Sequence, residues 1–270
     1  MKAIKSLQFD TDKVRDEKGI IKSWTILLID GVEIILLYDP PHILKCVRNN
    51  LLTKDLEYDH DPKLTEEERK FASWDHVVTA YHIDLYAPRL NRMVLDLTDE
   101  HIYLDKINKM SVKLMMQVFN KKLASFMDFL FLMPGPIDTH IGPLDMPSEA
   151  YHTAFNLNLL NDFGDGFSSV RKGYVRQGDR NTRRVPWTEN FYQDEFFKLS
   201  ARQLKSMWFI DKKTQKSVTT DIPSLQNLID TLEDFLVIWE KLKSLGFESF
   251  CTHAINQEPL ENFFGNVKSH

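Results

Sequence analysis

Two regimes of hydrophobic and polar spacing follow each other near the start of the chain. Between Trp24 and Tyr38, two apolar β-rich runs flank Asp30-Gly31, the sequence form of a two-residue hairpin turn. From His42 the spacing becomes helical, and one face carries Ile43, Leu44, Val47 and Leu51, with Lys45, Arg48 and Asn49 outside it. The pattern predicts a β-hairpin followed by an amphipathic helix.

The remainder of the chain has mainly helical spacing. Thr65 and Glu68 have the spacing of a capping box, which predicts a helix through residues 71–86. Further helices are expected around 105–133, 148–163, 189–207 and 224–243, the last followed by Gly246 as a stop signal. The expected fold class is α+β and mainly α-helical.

Composition narrows the functional classes. The chain has 270 residues, 43% of them hydrophobic, and a formal net charge of −5. Any contact with nucleic acid must therefore come from a local patch, because the whole chain offers no positive field. Cys46 and Cys251 lack the spacing of a zinc site, and no apolar run approaches the length of a membrane span. We expect a soluble intracellular protein that does not contact a membrane.

Two carboxylates invite more than one interpretation. Asp39, in "YDPPH", fits a helix N-cap but could equally be an active-site acid at the end of a strand. Glu261, in "NQEPLENFFGNVKSH", could complement a helix dipole or serve as a metal ligand. Residue types and spacing alone leave both alternatives open.

One segment of the chain is a candidate for binding phosphate groups. The segment 171–184 is rich in basic residues, and it could bind a phosphate backbone or simply be a solvated loop. Its cations are Arg171, Lys172, Arg176, Arg180, Arg183 and Arg184. The sequence contains neither the P-loop motif G-x-x-x-x-G-K-[ST] nor the dinucleotide-binding motif G-x-G-x-x-G. His76 and His82 are six residues apart, which is not the spacing of a zinc-binding helix.

Two motifs at opposite ends of the chain suggest a family. "YDPPHILKCVRNNLL" and "NQEPLENFFGNVKSH" closely resemble signatures of the P-element transposase family, including relatives with a THAP zinc-finger domain. Segments between them, such as "ASWDHVV" and "SLQNLIDTLEDFLVIWEKLKSLGF", resemble the same family in the same order. The resemblance implies an RNase H-like domain interrupted by a large helical insertion that binds GTP.

That resemblance divides the chain into three parts. Residues 1–52 would belong to the RNase H-like domain, residues 53–250 to the helical GTP-binding insertion, and residues 251–270 to the final catalytic helix of the RNase H-like domain. The family uses three carboxylates and two Mg²⁺ ions for DNA cleavage and strand transfer. Glu261 matches the third carboxylate, and Asp39 matches none. The other two would precede this chain, so we expect it to be catalytically incomplete alone.

This chain has only some of the residues that form the GTP pocket implied by the resemblance. Positions that match the family's nucleotide contacts are Val112, Lys113, Asn120, Asp165, Ser168 and Glu258. Two positions where the family has lysine carry Asp96 and Ser111 instead. Loss and reversal of charge near a triphosphate weaken its binding, so we expect GTP affinity to be reduced.

The resemblance therefore implies a nuclear role in GTP-dependent cut-and-paste DNA transposition. The alternative is a non-enzymatic protein that binds DNA or regulates a transposase by interacting with it. Expected partners are DNA, bound weakly and without sequence specificity, and a full-length transposase or a second copy of this chain.

Overall fold

The computed structural model describes Thr11 and residues 26–61, 63–65, 68–88, 91–169, 185–189 and 193–257. Its helices are α1 (Pro40–Leu51), α2 (Trp74–Tyr86), α3 (Asp99–Ile102), α4 (Val112–Val118), α5 (Lys121–Phe131), α6 (Ala150–Phe167), α7 (Gln193–Lys205) and α8 (Ser224–Ser244). Its strands are β1 (Ile26–Ile29), β2 (Val32–Ile35), β3 (Lys54–Tyr58), β4 (Lys70–Ala72), β5 (Ile137–Thr139), β6 (Gly142–Leu144), β7 (Trp187–Thr188), β8 (Trp208–Asp211) and β9 (Ser249–Phe250). The chain is α+β, with helices forming about half of the described residues.

The predicted hairpin is confirmed. Strands β1 and β2 pair antiparallel, with Ile29 opposite Val32, and the turn between them is Asp30-Gly31. Both turn residues have positive φ, 50° and 80°, as this hairpin turn requires. Glycine adopts such a backbone without strain, which explains its place at the second position.

Helix α1 begins two residues earlier than predicted, at Pro40, because Asp39 caps it. The Asp39 carboxylate accepts a hydrogen bond from the His42 N–H at 3.1 Å. The N-cap interpretation of Asp39 is thus confirmed. The expectation that Lys45 and Arg48 lie outside the packed face is wrong, since their exposed fractions are 4% and 0%. Helix α1 is covered on more than one side, by α8, α4 and α6.

The helix expected to start at the Thr65–Glu68 capping box does not begin there. The Thr65 N–H and hydroxyl do donate to the Glu68 carboxylate, each at 2.9 Å. Instead of a helix, β4 follows and pairs with β3 in a three-stranded antiparallel sheet of order β4-β3-β8. Long-range strand pairing therefore outweighs the local helix signal, and α2 starts only after Ser73, which caps it.

The prediction of one continuous helix over 105–133 is wrong. It is divided into α4 and α5, because Ser111 and Asn120 each cap a new helix: their side chains accept the N–H groups of Leu114 and Lys122. Helices α6, α7 and α8 confirm the other predictions to within a few residues, and Gly246 follows α8 with φ of 86°.

An aromatic cluster holds the later helices together. Phe197 of α7 and Phe235 of α8 pack against Trp187, which is 1% exposed, and Phe167 of α6 packs against the same two phenylalanine rings. Phe250 of β9 packs on the same indole. In the part of the chain that the structure describes, no helix has both the length and the apolar character needed to cross a membrane.

Candidate nucleotide site

The second half of α4 lies against the end of α6. A Cβ atom added to Gly164 of α6 would lie 2.5 Å from Met116 Cε of α4 and 3.8 Å from Leu44 Cδ1 of α1. Three helices therefore meet at this point. The absence of a side chain at Gly164 allows this close approach.

Four of the predicted nucleotide contacts lie around that meeting point. Val112 and Lys113 form the first turn of α4, one turn before Met116. Asp165 is in the last turn of α6, and Ser168 is its C-cap. The packing of Met116 against Gly164 thus brings neighbouring turns of the two helices together. Val112 is half-buried and Lys113 is exposed.

Asp165 is almost fully enclosed, with 2% of the residue exposed. Its carboxylate accepts a hydrogen bond from the Asn161 side-chain amide at 3.1 Å. Its backbone carbonyl accepts the Ser168 N–H at 3.2 Å, which ends the helix.

Asn120, unlike the four residues above, caps a separate helix. Its side-chain oxygen accepts the Lys122 N–H at 2.7 Å, so it serves as the cap of α5. Lys122 also pairs with Asp96 at 3.4 Å, and both side chains are more than half exposed. Between residues 91 and 169, no hydrogen bond joins Asn120 to Asp165 or Ser168.

Sequence reasoning missed Arg48, which the structure buries completely. Its Nη2 donates to the Asn108 carbonyl at 3.2 Å, while Nε and Nη1 have no hydrogen-bond partner among the described residues. Burial lowers the pKa of the Arg48 guanidinium. The neighbouring Asn49 amide donates to the Lys109 carbonyl at 3.0 Å. These two bonds tie α1 to the segment that leads into α4.

The only signal for Arg48 in the sequence is its position four residues after the core residue Leu44, one turn along the same side of α1. An arginine at such a position usually extends toward solvent, so spacing alone predicts exposure. The burial arises from α4 and α6, which pack on α1 from distant parts of the chain.

Two polar links join the α1 and α6 ends to the segment after β9. Asp39 Oδ1 accepts the Gln257 N–H at 2.9 Å. At the end of α6, the Ser169 N–H donates to Thr252 Oγ1 at 3.0 Å, and this hydroxyl donates to the Gly166 carbonyl at 2.9 Å. The segment 252–257 is therefore held against both helices.

Several predicted site residues lie outside the described residues. They are Glu258, Glu261, Arg171, Lys172, Arg176, Arg180, Arg183 and Arg184. Within the described ranges, no group of histidine, cysteine and acidic side chains could hold a metal ion. His76 lies 2.8 Å from the Thr153 hydroxyl, and His82 lies 2.9 Å from the Tyr103 hydroxyl.

Comparison with solved structures identifies the fold. The structure described as "Drosophila P element transposase strand transfer complex" matches 96% of this chain with a TM-score of 0.70 and 20% sequence identity. The chain shares the fold of this transposase. It spans 52% of the transposase chain, which is about half of that protein. No protein-family model matches the sequence, and no curated protein matches it either.

Proposed function

We propose that this chain acts in DNA transposition as the GTP-binding part of a P-element-type transposase. In this proposal residues 53–250 form the GTP-binding insertion, and residues 1–52 and 251–270 belong to an RNase H-like domain. The shared fold over 96% of the chain and the two terminal motifs support this role. Acting on chromosomal DNA implies a nuclear location.

The buried, unpaired guanidinium of Arg48 is the observation that carries the nucleotide site. An isolated buried charge costs several kcal/mol, and this cost falls when an anion pairs with it. The unpartnered Nε–H and Nη1–H lie on different edges of the guanidinium, so they would donate to two separate acceptor oxygens rather than form one bidentate fork. Because Nε and Nη1 are enclosed, the segment 108–111 opens to admit the phosphate in this proposal.

The other matched residues have separate roles in the proposed site. Lys113 is exposed near the start of α4 and would balance the charge of the triphosphate. Asp165 would accept the N1–H and N2–H groups of guanine, a donor pair that adenine does not offer. Val112, Ser168 and Glu258 would complete the pocket. Because the Asn120 side chain caps α5, it would contact only an outer part of the bound GTP.

Affinity in this site would be low. Asp96 and Ser111 stand where the resemblance expects lysines, and Asp96 already pairs with Lys122. We propose a dissociation constant for GTP on the order of 0.1–1 mM, which corresponds to about 4–5.5 kcal/mol of binding free energy.

Catalysis would need acidic ligands beyond those assigned in this chain. Glu261 matches one of three carboxylates that hold two Mg²⁺ ions in the family's phosphoryl-transfer chemistry. We propose that this chain alone does not cleave DNA. Its DNA contacts would be phosphate contacts of the basic segment 171–184, independent of base sequence.

A role as a non-enzymatic partner of a transposase is the second candidate. The observation that favours it is the outer face of the hairpin, where Val32 and Ile34 are 62% and 41% exposed. Apolar side chains on a two-stranded ribbon gain stability when another surface covers them. A full-length transposase or a second copy of this chain could supply that surface.

Equilibrium dialysis with GTP tests the proposed site. We expect Arg48→Met to weaken GTP binding about tenfold or more, because a charge-assisted pair is lost. Arg202→Met is the matched control, since Arg202 is an exposed arginine at the end of α7. Equal GTP affinity in the Arg48→Met protein and the wild type would contradict the assignment.

A further inference from the structure

A cleft of about 300 Å³ separates α1 from the beginning of α8. Its walls include His42, Cys46 and Asn50 from α1, and Ile222, Ser224 and Asn227 from the start of α8. The volume is at the lower end of the range for small-molecule sites. It would hold a group the size of one nucleotide.

The cleft is separate from the proposed GTP site. At 3.6 residues per turn, Cys46 and Asn50 lie about 200° around α1 from Arg48. The two sites therefore face opposite sides of the same helix, and the inference below does not depend on GTP binding.

The first feature of the cleft is an uncapped helix end. Helix α8 has 21 residues, and its N-cap residue, Pro223, makes no side-chain cap; among the described residues, no side chain accepts a hydrogen bond from the first turn. The N–H groups of a first turn have no partner within the helix. Together with the helix dipole they attract an anion.

The second feature is a buried hydroxyl. Ser224 is 5% exposed, and its enclosed Oγ has no hydrogen-bond partner in the described part of the chain. An unpaired buried hydroxyl costs about 1–3 kcal/mol, so an acceptor placed beside it would recover stability. This observation is independent of the helix end, and it selects a ligand with acceptor oxygens.

Among the described residues, one acidic side chain, that of Asp39, lines the cleft. Its two carboxylate oxygens accept the His42 N–H at 3.1 Å and the Gln257 N–H at 2.9 Å. These bonds offset part of the repulsion between Asp39 and a bound anion.

We propose that this cleft binds a phosphate group at the N-terminus of α8. The first-turn N–H groups and the Ser224 hydroxyl donate to the phosphate oxygens, and the amide groups of Asn50 and Asn227 border it. The phosphate belongs either to a free nucleotide or to a DNA strand, two sources that offer the same chemistry. Since no lysine or arginine among the described residues lines the cleft, the affinity depends on hydrogen bonds and the helix dipole.

Titration of the full chain with inorganic phosphate, followed by amide NMR shifts at constant ionic strength, tests the proposal. We expect saturable shifts of the Ser224, Leu225 and Gln226 amides. Ser224→Asp should abolish them, because its carboxylate supplies the negative charge itself. Ser224→Ala should weaken binding about tenfold through loss of one hydrogen bond.

Ser217→Asp is the control, because it adds the same charge at an exposed serine outside the cleft. This variant should bind phosphate like the wild type. Parallel titrations with a mononucleotide and with a short single-stranded oligonucleotide identify the source of the phosphate. The ligand that saturates the shifts of the same amides at the lower concentration is the source. Unshifted amides at 224–226, or equal shifts in the Ser224→Asp protein, would overturn the proposal.

Discussion

Arg48 and Arg92 carry the same charge in opposite surroundings. Arg92 Nε donates to the Asp84 carboxylate at 3.2 Å, and this carboxylate is 1% exposed. Arg48 has a backbone carbonyl as its partner and two unpartnered donors. Burial of a paired charge can be tolerated, whereas an unpaired one lowers stability unless a ligand supplies the anion.

The two arginines should therefore respond in opposite directions to substitution. Arg48→Met should raise the free energy of unfolding of the ligand-free chain by about 1–3 kcal/mol, because it removes an unpaired buried charge. Arg92→Met should lower it by about 2–3 kcal/mol, since Asp84 then stays buried without its cation. Urea unfolding measures both. A destabilised Arg48→Met protein would show that the guanidinium is satisfied in the ligand-free state.

Asp39 offers a second test at this scale. Asp39→Ala removes the cap of α1 and the acceptor for Gln257, so the free energy of unfolding should fall by about 1–2 kcal/mol. Asp39→Asn keeps one acceptor oxygen and should lose about half as much. Urea unfolding of the pair separates capping from charge, and equal losses in both variants would mean that the negative charge is what matters.

At the scale of elements, α6 shows how glycine lets helices pack closely. A Cβ at Gly164 would meet the flexible end of Met116, whereas a Cβ at Gly166 would lie 2.9 Å from the Phe197 ring. Phe197 is 0% exposed and belongs to the aromatic cluster around Trp187, so it has little room to move.

Alanine at the two glycines should have different effects. In both cases alanine gains up to about 1 kcal/mol of helix propensity. At Gly166 overpacking against Phe197 costs about 1–3 kcal/mol and should dominate, so Gly166→Ala destabilises. Gly164→Ala should be neutral or stabilising, because Met116 can change rotamer. Thermal unfolding compares the two, and a stable Gly166→Ala protein would refute the packing argument.

Local signals predicted the hairpin and α8, because a turn motif or an apolar stripe lies within each element. They could not predict the β4-β3-β8 sheet, whose strands come from positions up to about 150 residues apart. The split of 105–133 was readable in principle, since Ser111 and Asn120 are favourable caps. The assignment of Val112, Lys113 and Asp165 to a nucleotide site rests on the family resemblance. The burial of Arg48 depends on tertiary packing that no motif encodes.

For the whole molecule, three half-buried histidines link stability to pH. Burial lowers the pKa values of His76, His82 and His152 in the folded chain. The unfolded chain, with histidine pKa values near 6.5, therefore binds more protons as the pH falls. Stability is full above about pH 6.5 and declines as the pH falls through and below that value.

The urea midpoint should accordingly be lower at pH 5.5 than at pH 7.5. His76→Asn should reduce the difference between the two midpoints, because it removes one of the three groups whose protonation favours unfolding. A midpoint that is constant or rises on acidification would contradict the burial of these rings.

Calorimetric titration of the wild-type chain with GTP and with ATP tests most directly whether the α1, α4 and α6 junction is a GTP site. We predict saturable GTP binding with a dissociation constant on the order of 0.1–1 mM, and at least about tenfold weaker ATP binding because Asp165 would select guanine in the proposed site. Absence of saturable heat for GTP at millimolar concentration, or equal binding of ATP, would contradict the account.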